Sequence, residues 1–144
     1  MARIDTTHWA TLVRDFSQSL SAINFGGKWN FINNEGEYLT QIWFDWCWSF
    51  DEGVALVRLG KKYNFILTNG RFLASTWFDN CLHFYRGFSA VKLNGKWNFI
   101  DKEGKLLSDV WFDKCGSFYG DTALVQLNKK VYCLDMKGGL YALR

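Results

Sequence analysis

The 144-residue chain is 49% apolar, 19% aromatic and 22% charged, which excludes global disorder and suits a domain with a well-buried core. Its 17 Lys and Arg against 14 Asp and Glu leave a net charge of +3 with no basic run, which argues against a nucleic-acid partner. No apolar stretch reaches the roughly 18 residues of a membrane span, and Asp5, His8, Arg14 and Asp15 interrupt any signal-peptide core, so the expected setting is cytoplasmic and away from membranes.

The first eight residues form an N-terminal extension. From Trp9 onward one 34-residue unit recurs four times, as 9–42, 43–76, 77–110 and 111–144, in a single domain. Lys28, Lys62, Lys96 and Lys130 mark one phase of the repeat, and Trp9, Trp43, Trp77 and Trp111 mark another. The first half-unit and the last are degenerate, as in capping repeats.

Within each unit two turns are legible. The first falls at Gly26-Gly27, Gly60-Lys61, Asn94-Gly95 and Asn128-Lys129, each dipeptide compatible with a two-residue β-hairpin. The second falls at Glu35-Gly36, Asn69-Gly70, Glu103-Gly104 and Lys137-Gly138; glycine in all four copies predicts positive φ there. Each unit therefore reads as a three-stranded meander followed by a Trp-Phe-Asp-x-Cys strand or connector. The hairpin register sets Leu93 opposite Lys96, Lys92 opposite Trp97, Val91 opposite Asn98 and Arg58 opposite Tyr63, and it predicts a cation over a ring in the Lys92 and Arg58 pairs. The fold class is all-β: four antiparallel meander repeats in an open twisted solenoid, with a small four-bladed, propeller-like closure as the alternative.

The run GKWNFIDKEGK at 95–105, the aromatic-Asp pair after it and Phe118 with its following small and aliphatic residues resemble the WG (KWG) β-repeat of many bacterial proteins. The resemblance spans nearly the whole chain and implies the fold, with little about function. One departure is systematic. The second Gly of the family pattern is Asn30, Asn64 and Asn98 here, and Tyr132 in the last copy.

Three repeated polar series invite a chemical role. Cys47, Cys81 and Cys115 share a position and Cys133 stands elsewhere, without zinc-type spacing; Val13 and three Phe occupy the corresponding sites, so the thiols read as buried small hydrophobes and neither a metal nor a cofactor is expected. Asp45, Asp79 and Asp113 supply one acid per unit, too few for calcium, and read as side chains closing a local turn. Lys28, Lys62, Lys96 and Lys130 would line up and attract an anionic partner, or simply solvate the surface.

No nucleophile elbow, phosphate loop or H-E-x-x-H occurs, and His8 and His83 do not share a repeat position, so no enzymatic activity is expected. The positions that vary while their neighbours hold are the segments 46–52, 80–86 and 114–120, with Trp46, Trp48, Asp51, Glu52, His83, Tyr85, Arg86, Lys114 and Tyr119 as candidate binding residues. Trp46 and Trp48 flank Cys47 and by alternation point away from it. The leading expectation is a non-enzymatic interaction module for a protein partner. A glycan or anionic-nucleotide binder and a self-associating structural protein are the alternatives.

Overall fold

A computed structural model describes residues 12–17 and 19–143; the N-terminal extension, Trp9 and Thr11 lie outside them. The described residues form two compact units, one ending at Trp77 and the other starting at Phe78. Each holds two antiparallel sheets. The first unit pairs β1 (Leu12–Ser17), β2 (Leu20–Phe25) and β3 (Lys28–Asn33) in one sheet, and β4 (Trp46–Cys47), β5 (Val54–Leu59) and β6 (Lys62–Leu67) in another. The second unit pairs β7 (Asn80–Cys81), β8 (Phe88–Leu93) and β9 (Lys96–Asp101), then β10 (Lys114–Tyr119), β11 (Thr122–Leu127), β12 (Lys130–Asp135) and β13 (Leu140–Ala142). No helix among the described residues is long and apolar enough to cross a membrane.

The hairpin registers are those the turn dipeptides predict. Leu93 faces Lys96, Lys92 faces Trp97 and Val91 faces Asn98, while Arg58 faces Tyr63. The recurrent glycines of the second turn all have positive φ, from 77° at Gly36 to 88° at Gly138. Gly70 and Gly138 have a further reason to lack a side chain: a Cβ would sit 2.8 Å from the Leu39 carbonyl oxygen and 2.5 Å from that of Leu107.

One feature differs from expectation. A third hairpin turn joins the first strand of the second, third and fourth sheets to the next strand, at Glu52-Gly53, Arg86-Gly87 and Gly120-Asp121, at the ends of the segments read as variable. Glu52 and Arg86 take φ of 53° there, a left-handed conformation that favours Gly, Asn or Asp. The Trp-Phe-Asp-x-Cys segment, read as a strand or connector, is both: it crosses between sheets and ends in a short strand at Trp46–Cys47 and Asn80–Cys81. Phe44 exchanges two backbone hydrogen bonds with Trp29 of one sheet, at 2.7 and 2.8 Å, and the Asp45 N–H donates at 2.9 Å to Arg58 of the next. Phe112 and Asp113 repeat this with Trp97 and Gln126.

Between the glycine turn and that crossover the chain leaves the ladder, and a buried asparagine compensates. Asn30, Asn64 and Asn98 are fully buried. Each donates its Nδ2–H at 2.8 Å to the carbonyl ten residues on, at Thr40, Ala74 and Ser108. Each also accepts at Oδ1 from the following backbone N–H at 2.7 Å. In the last sheet Tyr132 replaces the asparagine, and there the outer strand stays in register, with Tyr132 opposite Ala142, Cys133 opposite Tyr141 and Leu134 opposite Leu140.

Sheets in each unit stack face to face through aromatic and aliphatic side chains. Phe31 meets Phe50 with ring centroids 4.7 Å apart, and Phe99 meets Phe118 at 4.9 Å. Ala55, Val57 and Ile66 complete the receiving face in the first unit, and Ala123, Val125 and Leu134 that in the second. Cys47 and Cys81 are buried, and burial alone pushes the Cys81 thiol well up. Cys115 is half-buried, and the same cause raises it to about 11.

The strained turn is testable. Arg86→Asn produces an Asn-Gly pair suited to a type I′ hairpin and relieves about 1 kcal/mol of left-handed strain. Thermal unfolding followed by circular dichroism should show a rise of about 2–4 °C in Tm; an unchanged or lower Tm contradicts this reading of the turn.

Candidate functional site

The crossover aspartates build the rim of each sheet stack. Asp45 accepts at Oδ2 from the Gly60 N–H at 2.6 Å and at Oδ1 from the Lys28 ammonium. Asp113 accepts from the Asn128 N–H at 2.8 Å and from Lys96. Asp79 takes the Asn94 N–H at 2.8 Å. The carboxylates therefore do not close a local turn. Each caps a hairpin 15 residues on, and Asp45 and Asp113 also clasp a lysine 17 residues back on the preceding sheet. The Lys28 ammonium, then the Gly60 N–H, hold the Asp45 carboxyl below its ordinary value; Lys96 and the Asn128 N–H do the same for Asp113.

Beside the first-unit clasp lies a strip of aromatic rings. Buried Trp29 meets Trp46 edge-on at 5.3 Å, Trp46 meets Trp48 at 6.1 Å, and Trp48 lies 6.5 Å from Tyr63 at a 38° tilt. Trp46 is 37% exposed, and Trp48 and Tyr63 are half-buried. Arg58, opposite both Trp46 and Tyr63 in the ladders, turns its guanidinium to the Gly60 carbonyl at 2.8 Å. Its predicted counterpart does place a cation over a ring, with Lys92 Nζ 5.6 Å from the Trp97 centroid.

The sequence-selected residues divide between two ends of the strands. Trp46 and Trp48 come together on the rim strip, and exposed Lys114 takes the place of Trp46 in the last sheet. Asp51 and Glu52 lie at the other end of their strand, about 15 Å along it, at the third hairpin turn. Tyr85, Arg86 and Tyr119 are exposed at the equivalent corners, and His83 borders a crevice over Phe88 and Phe118. The 46–52 segment is thus two surfaces. Lys28 and Lys96 are engaged by Asp45 and Asp113, Lys62 is exposed at the head of β6, and Lys130 has no acidic partner among the described residues. Tyr63, Arg58 and the buried asparagines were not selected from sequence. A shared phase of the Lys and Asp series was the available signal for the clasp, and the systematic Gly-to-Asn change was the signal for the brace.

Stacked aromatic meanders held by lysine–aspartate clasps define a tandem β-repeat protein. The chain belongs to the WG containing repeat family, whose model matches residues 31–63, 65–97 and 99–130. No curated protein matches it. Among solved structures it is similar to β-propeller-like Hsv2 of Kluyveromyces lactis, with TM-score 0.51, 10% identity, and 91% of this chain and 50% of that one covered. The form of that protein with its complete loop 6CD gives TM-score 0.51 and 11% identity over 91% and 49%. The chain spans about half the length of these structures, and at such identity the likeness is one of fold.

The clasp predicts an acid-sensitive stability. The folded-state pKa of Asp113 lies below the unfolded value of about 3.9, so its contribution is complete above that value and is lost as pH falls through the folded one. Asp113→Asn should lower Tm at pH 7 and flatten the loss of Tm on acidification from pH 5 to pH 2; two parallel Tm–pH curves contradict the clasp.

Proposed function

We propose that the protein is a non-enzymatic interaction module that binds a protein partner through the strip formed by Trp46, Trp48, Tyr63 and Arg58. The observation that carries this reading is the strip itself: Trp46, Trp48 and Tyr63 continue a run of ring contacts that starts at buried Trp29, and Trp46 within it is 37% exposed. Trp, Tyr and Arg dominate binding hot spots because they add large contact area with a polar handle. The rings meet at 67°, 79° and 38°, which makes a ridge and not a parallel slot for a sugar or base. Ridges suit a macromolecular surface, and concave sites suit small ligands. Asp45 and Lys28 lend the ridge a polar rim.

Immobilised wild-type protein and a Trp46→Ala/Trp48→Ala variant, matched by circular dichroism, would be exposed to host lysate. A protein retained by the wild type should bind the variant roughly thirtyfold more weakly or worse, the cost of losing about 2 kcal/mol or more at a hot spot. Equal retention by both, or a small-mass adduct in native mass spectrometry that vanishes in the variant, overturns the proposal; the adduct would point to a glycan or nucleotide instead.

A further inference from the structure

The two ends of the first unit carry opposite charge. At the hairpin end, where the clasp and the aromatic strip lie, Lys28, Arg58, Lys61 and Lys62 stand against a single carboxylate, Asp45. At the far end Glu35, Glu37, Asp51 and Glu52 surround the glycine turn and the third turn, with Arg71 as the one cation among the described side chains there. The six-residue strands between them span about 20 Å, more than twice the roughly 8 Å screening length at physiological salt. Neither end cancels the other.

Compensation within the hairpin end is partial. Asp45 takes up the Lys28 ammonium. Arg58 gives its guanidinium to the Gly60 carbonyl at 2.8 Å, a neutral acceptor that leaves the charge in place, and Lys61 is exposed at the tip of the same turn. Apolar surface collects here too: Phe25 is 42% exposed, Leu59 39% and Trp46 37%. Phe25 and Leu59 each face a lysine across a hairpin turn. Apolar surface gathered in one place marks an interaction site.

We propose that the partner of the rim strip is an acidic protein segment with interspersed apolar side chains, laid across the hairpin end of the first unit; this rests on the strip being a protein-binding surface. Its carboxylates meet Arg58 and Lys61, and an apolar side chain meets the Trp46 ridge. Arginine presents a planar fork of donors that matches a carboxylate. The positive end draws such a segment in, and the negative far end repels it, which fixes the end it approaches. A lipid surface fits less well: Phe25, Leu59 and Trp46 keep more than half of their surface covered, whereas interfacial insertion buries an apolar face several ångströms deep. A nucleic-acid base needs an open ring face to stack on, and Trp46 is met edge-on by Trp29 and Trp48.

Binding of defined probes to the full chain tests this. The probes are a labelled Glu-rich peptide with interspersed Leu, its counterpart with every Glu replaced by Gln, a single-stranded oligothymidylate, and vesicles of phosphatidylserine and phosphatidylcholine. The Glu peptide should bind about fivefold more tightly than the Gln peptide, and this preference should vanish as salt rises from about 0.05 to about 0.5 M. Lys61→Glu should weaken the Glu peptide about fivefold. Arg71→Glu makes the same change in net charge at the far end and should leave binding unaltered. Trp46→Ala/Trp48→Ala keeps every charge and should weaken both peptides. No binding of the Glu peptide, equal binding of the two peptides, equal effects of Lys61→Glu and Arg71→Glu, or a preference for the oligothymidylate or the vesicles overturns the proposal. A lysate protein captured through Trp46 and Trp48 but indifferent to salt and to Lys61→Glu also overturns it, while the interaction-module reading stands. If no captured protein depends on Trp46 and Trp48, that reading falls too.

Discussion

A strand that leaves a sheet strands its own backbone polar groups, and the buried asparagine is what makes this tolerable here. An unpaired buried N–H or C=O costs about 1–3 kcal/mol. Asn30, Asn64 and Asn98 supply a donor for the carbonyl ten residues on, and Asn64 and Asn98 also accept from the N–H of that residue at 3.3 Å. The outer strand can then swing away after Leu39 or Leu107 and return at Phe44 or Phe112. That excursion is what converts the trailing edge of one sheet into the leading edge of the next. Where Tyr132 stands instead, the ladder simply continues into β13.

Two interactions of different strength then join successive sheets in each unit. Burial dominates: Phe31, Phe44 and Phe112 are essentially inaccessible, and a fully buried aromatic contributes about 1.5–3 kcal/mol. The exposed Lys–Asp clasps add little energy by comparison. Their value is geometric, since one carboxylate holds a hairpin turn of its own sheet and a lysine of the preceding one. A rim fixed in this way presents Trp46 and Trp48 on a rigid edge, as a binding surface requires.

The period, the hairpins and their registers were legible because their causes are local. Gly and Asn in two-residue turns dictate φ and therefore pairing, so Val91 opposite Asn98 follows from the dipeptide between them. The third turn was hidden because Glu52 and Arg86 are poor left-handed residues, chosen against local preference. The clasp was hidden because its partners lie 15 and 17 residues from the aspartate, and local reading offers a nearer backbone amide instead. The candidate site was half legible for the same reason: alternation put Trp46 and Trp48 outward, while Asp51 and Glu52 belong to the far corner of the sheet. Asn98 showed itself only as a departure from a family glycine, and its role needs the chain ten residues on to be in place.

Hydrogen exchange of side-chain amides tests the brace most directly. In two-dimensional ¹⁵N spectra recorded after transfer to D₂O, the Nδ2 hydrogens of Asn30, Asn64 and Asn98 should persist long after those of exposed Asn69, Asn94 and Asn128 have vanished. Exchange of all six at one rate would contradict the claim that these asparagines stand in for the missing ladder.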